Sequence, residues 1–134
     1  MGFNKWFKPG AAPLTGAPAI RRVKNYSAQT GHVYQYFYEG HRPFSADGES
    51  GLEYVFRVIA NRENGNPVAV RVPDAAIRAW EEAHSRQLSA TGRYAVAKMA
   101  LFQAFDERPT PAHMKDDVNV RHADLEAILA TLDL

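Results

Sequence analysis

The chain has 134 residues, 46% hydrophobic and 23% charged, with a formal net charge of +1, the profile of one ordinary globular domain. It has no cysteine, which excludes disulfides, thiolate metal sites and cysteine nucleophiles. Residues 1–45 carry six basic side chains against Glu39 alone, and the remainder carries ten basic and fourteen acidic ones. Six dispersed cations are few for a general nucleic-acid binder, so the asymmetry reads as the dipole of one domain.

In chain order, Phe3, Trp6 and Phe7 come first and would share one side of a single helical turn. So short a piece is not a stable free helix, so it must dock or stay loose. "MGFNKWFKPG" has charges where a secretory signal would need an apolar stretch, so a cytoplasmic protein is expected. "PGAAPLTGAPAI" is too short to span a bilayer and is broken by prolines, so no membrane association is expected. It reads as a tether, which divides the chain into an arm (1–19) and a single domain (20–134).

Strand patterns follow. "IRRVKNY" from Ile20 is the first, "SAQTG" a turn, and "HVYQYFYEGH" a second strand with Tyr34, Tyr36 and Tyr38 on one face. "EGHRPFSADGESG" reads as a loop on its Gly, Pro and Asp content. In "LEYVFRVIA", Leu52, Tyr54, Phe56 and Val58 alternate with Glu53, Val55, Arg57 and Ile59, and "VAVRV" places Val68, Val70 and Val72 on one side. Uniting these apolar sets puts Val58 opposite Val70 and Phe56 opposite Val72. That pairing leaves a three-residue loop, Glu63-Asn64-Gly65, with Gly65 at positive φ.

Beyond Val72 the period changes to that of a helix. Pro73 and Asp74 favour a helix start, and Ala76, Ala79, Trp80 and Ala83 form its stripe. Ser89 is the expected cap of "ATGRYAVAKMALFQAFDE", which is apolar on nearly every side and therefore central. "RPTP" stops it, and "HADLEAILATLDL" carries the stripe Leu125, Ile128, Leu129 and Leu132. Strands first and helices after indicate α+β: an antiparallel sheet of three to four strands with three helices packed on one face.

The tyrosine face admits two readings. With Arg22, Lys24, His41 and Arg42 around it, it could stack and neutralise a single-stranded nucleic acid or a nucleotide. Continuity with Leu52, Tyr54, Phe56 and Val58 instead makes it the more apolar, inward face of a sheet covered on one side, and that reading is preferred. The histidines show no HExxH and no i, i+4 pair; His113 and His122 could meet Asp116 and Asp117 at a metal, but carboxylates in a loop are usually solvated. Lys98 stands among Tyr94, Leu101, Phe102 and Phe105, where a desolvated amine could act as nucleophile or base. Snorkelling to the surface or to an acid, with ordinary titration, is the simpler expectation. Nothing in the sequence indicates a cofactor or a catalytic residue.

If the tyrosines point inward, the opposite face presents Val23, Val33, Phe37, Val55, Ile59 and Ala69, separated by Gln35, Arg57 and Arg71. A patch of that size wants a cover. A second copy of the chain is the favoured one, with Phe3, Trp6 and Phe7 crossing between subunits. The expectation is a non-catalytic domain acting through protein contacts as a homo-oligomer, its protein partner unspecified. Nucleic-acid binding through the tyrosine face, or an enzyme using Lys98 or a histidine, are the alternatives.

Overall fold

The structure, a computed structural model, describes residues 12–60 and 64–134. Its elements run β1 (Lys24–Ser27), β2 (Val33–Ala46), β3 (Glu49–Ile59), β4 (Asn66–Pro73), α1 (Asp74–His84), α2 (Ala90–Glu107), a 3-10 turn (Pro111–Lys115), β5 (Val118–Asn119) and α3 (His122–Thr131). The strands form one sheet in the order β1-β2-β3-β4-β5. This α+β arrangement is as expected, but the sheet has five strands and is mixed, because β5 pairs in parallel with β4. β5 has only two residues, too short to leave a period in the sequence. It follows the helices because a parallel neighbour of β4 requires a crossover connection.

The largest departure from expectation is at residues 39–51, which are strand and hairpin rather than loop. β2 continues to Ala46, pairs with Glu49 and turns through Asp47 (φ 53°) and Gly48 (φ 79°). Two central residues with positive φ are the geometry that matches the twist of the flanking strands. β2 reaches that turn through a bulge between Tyr38 and Gly40, where Gly40 has φ 126°. The extra residue rephases the strand. Tyr34, Tyr36 and Tyr38 share the helix-covered face before it, and His41 joins that face after it, opposite Tyr54. Arg42 and Phe44 are thereby sent to the other face.

The β3–β4 register also differs from expectation. Val70 lies opposite Tyr54, Val72 opposite Leu52 and Val68 opposite Phe56, while Val58 faces Asn66. The apolar sets do share one face, because a slip of an even number of residues preserves it. The slip gives Val70 and Val72 the partners Tyr54 and Leu52, where the expected register would have drawn Asn61 and Arg62 into the ladder. Gly65 does have positive φ, 81°, but it ends a connection of residues 60–65 rather than a three-residue loop. Glu63 of that expected loop lies outside the described residues.

β1 begins at Lys24, not Ile20, and Thr15 makes an isolated antiparallel bridge to His41. The arm thus touches the sheet within the same chain, through backbone bonds of 2.9 and 2.8 Å between Thr15 and His41. Phe3, Trp6 and Phe7 lie outside the described residues.

The helices follow the sequence closely. The Ser89 hydroxyl accepts from the Gly92 N–H at 3.0 Å, and α2 spans the stretch expected. The buried side of α1 is Ala76, Ile77 and Trp80, with Ala83 exposed, so its stripe is rotated toward Ile77. α3 buries Leu125, Ile128 and Leu129. Among the described residues, no helix is long and apolar enough to cross a membrane.

Candidate functional site

Tyr34 and Tyr36 belong to the core: they are 0% and 5% exposed. Tyr34 stacks on Phe105 of α2 with centroids 4.4 Å apart, and Tyr36 meets the edge of Phe102 at 5.6 Å. The inward orientation preferred from the sequence holds for both. Tyr38 keeps that orientation too, packed 4.9 Å from Tyr94 of α2 and 5.3 Å from Phe56, but it is only half-buried and stands at the edge of a cleft.

That cleft holds about 490 Å³ and is walled by three elements. β2 contributes Tyr38 and His41, β3 contributes Leu52 and Tyr54, and the start of α2 contributes Thr91, Arg93 and Tyr94. The rings of Tyr38 and Tyr94 meet edge-on at 4.9 Å, Tyr54 lies 6.4 Å from Tyr94, and His41 packs 5.6 Å from Tyr54. Gly16 closes the rim with φ 79°, and a Cβ there would run into the His41 imidazole. Both ring nitrogens of His41 face hydroxyls, with Nδ1 2.9 Å from Tyr38 Oη and Nε2 3.5 Å from Thr15 Oγ1. Burial pushes the Tyr38 hydroxyl well above the usual phenol range, so it stays protonated beside His41 Nδ1.

Burial raises the pKa of Tyr54 and Tyr94 as well, and the Arg93 guanidinium pulls Tyr54 part of the way back. Arg93 is the one Lys or Arg in the described lining of the cleft. Its nearest acidic neighbour is Glu81, 3.8 Å away, and its Nε is buried without a hydrogen-bond partner among the described residues. No carboxylate lines the cleft among the described residues.

The other sequence candidates fall elsewhere. Arg42 lies on the opposite face, bound to Glu53 at 2.7 Å. Glu53, buried at 6% exposure, also holds Arg71 at 3.1 Å, and Arg71 reaches Asp117 at 3.6 Å. An ionic ladder therefore crosses β2, β3 and β4 to the approach of β5. Arg22 is exposed. Lys98 is half-buried, with its ammonium 5.8 Å from the Phe102 ring, and the charge beside it is Lys24, a second cation. Partial burial, with Lys24 beside it, lowers the Lys98 pKa.

The opposite face is less bare than expected. Phe37, Val55 and Ala69 are buried, Arg57 and Ile59 are half-buried, and Val23 and Val33 are exposed. Arg21 lies 4.3 Å over the Phe37 ring, and Arg57 reaches Glu39 at 3.3 Å. Leu14 and Thr15 pack where a Cβ on Gly40 would stand, beside Val55 in the ladder. Long side chains and the arm thus supply much of the cover within one chain. His113 is bonded to Thr110 at 2.7 Å, and no group of three or more potential metal ligands occurs among the described residues.

Sequence reasoning did not single out Tyr54, Arg93 and Tyr94 as site residues. Tyr54 is core, at 4% exposure, and it meets Arg93 in one lining only because α2 is laid against the sheet. No protein-family model matches the chain, and neither a curated protein nor a solved structure matches it.

Proposed function

We propose that this protein is a non-catalytic binding domain whose small-molecule ligand enters the cleft between β2, β3 and the first turn of α2. The observation that carries this reading is the convergence there of Tyr38, Tyr54 and Tyr94 with His41 and Arg93 around about 490 Å³. Ligand sites are typically concave and largely apolar, with a few placed polar groups, and this volume lies within their usual range. Binding is favoured over catalysis because His41 is paired with hydroxyls, with no carboxylate to orient it among the described residues, and the tyrosines are held neutral. A thermal-shift screen of small aromatic compounds should raise the melting temperature of the wild type and leave Tyr94→Ala unmoved. Equal shifts in both proteins would refute the cleft as the site.

A second reading, self-association through the opposite sheet face, keeps support from the exposure of Ile20, Val23 and Val33 near β1. Its test belongs at Val33, since Phe37 is buried and would report on folding. Val33→Arg should convert a dimer to a monomer in sedimentation equilibrium; a wild type that is monomeric at high concentration removes this reading.

A further inference from the structure

We infer that the ligand of this cleft is a small aromatic molecule bearing an anionic oxygen group, a carboxylate or a phosphate monoester, and that Arg93 receives that group. The inference rests on the cleft being a binding site and adds the chemical class of what binds. Arg93 lines the cleft with its side chain 32% exposed, while its Nε is buried. The acid nearest to it, Glu81, is 3.8 Å away through Oε2, and that same oxygen accepts the Leu88 N–H at 2.8 Å. Nε has no partner among the described residues. A guanidinium offers five N–H donors in a planar fork, a geometry that matches two oxygens of a carboxylate or phosphate.

Two further features suit an anion. The described lining contains no carboxylate to repel one. Ala90 and Thr91, in the first turn of α2, stand in the same wall as Arg93 and bring the positive end of an 18-residue helix to it. Tyr38 and Tyr54 on the sheet side and Tyr94 beside Arg93 offer ring faces and edges at the spacings aromatic groups adopt. A cleft of about 490 Å³ has room for a ring with its substituent.

The test titrates benzoate, phenyl phosphate and benzamide into the full chain, following the arginine Nε–H signals by NMR. The two anions should bind in the millimolar range and shift the Arg93 Nε–H signal, with benzamide at least about tenfold weaker. The tighter of the two anions identifies the head group. Arg93→Met should abolish the preference and retain the weak benzamide binding. If that variant does not fold, the wild-type Arg93 signal decides alone. Benzamide binding as tightly as benzoate, or anion binding that leaves the Arg93 signal unmoved, overturns the anionic class and leaves the cleft standing. No binding by any of the three overturns the cleft reading itself.

Discussion

At Glu53 one buried carboxylate serves two cations. Its oxygens bind Arg42 at 2.7 Å and Arg71 at 3.1 Å, each from a different neighbouring strand. Removing the acid leaves two guanidiniums side by side, and their own exposure of about a third lets water repay part of the loss. Glu53→Ala is therefore expected to cost about 2 kcal/mol, less than breaking a fully buried pair. Urea denaturation measures it, and a loss near zero would show the ladder to be ornamental. The pairing was not legible beforehand, because Arg42 reaches Glu53 only through the bulge that precedes it. Tyr26 is a similar case, since its hydroxyl donates to Asp106 at 2.7 Å across a large separation in sequence.

Among elements, the β3–β4 connection depends on Gly65. With φ 81°, it holds a conformation that a side chain opposes, and an added Cβ would stand 2.7 Å from Ile59 Cγ1 and 2.8 Å from the Val58 carbonyl. Gly65→Ala is expected to cost about 2 kcal/mol, backbone strain and close contact together. A thermal melt unchanged by the substitution would show that the connection relaxes freely. Gly51 differs in kind: it is glycine for closeness, since a Cβ there would collide with the Val72 carbonyl where β3 and β4 meet beneath the start of α1.

Across the whole molecule, every one of the six tyrosines has its pKa raised by the fold. For Tyr26 the hydrogen bond to Asp106 is the main cause and lifts it to about 12; for the others it is burial. A raised phenol pKa means that the folded state favours the neutral ring. The corresponding stability is complete below the unfolded value of about 10 and is lost as pH climbs toward and through the folded values. Tyrosinate absorbance should therefore rise in one cooperative step above pH ~10, together with loss of the circular dichroism signal. A gradual titration centred near 10 with the fold intact would contradict the shared burial of these rings.

The sequence by itself determined the faces and the helices. Strand parity, read from Tyr34, Tyr36, Leu52, Phe56 and the three valines, assigns the inward side correctly, because the pleat alternates side chains whatever the strand pairs with. Pro73, Asp74 and Ser89 mark helix starts for reasons contained within a turn of chain. Only the tertiary structure decided the register of β4, the length of β2, the parallel strand β5 and the makeup of the cleft. Registers that differ by an even slip bury the same face, and the choice between them turns on which partners Val70 and Val72 find. At the bulge, Gly40 leaves room for Leu14 and Thr15 beside it, a contact between segments far apart in the chain. Tyr38, Tyr54 and Arg93 line one cleft only once α2 is laid across β2 and β3, because their convergence depends on long-range packing and no local period encodes it.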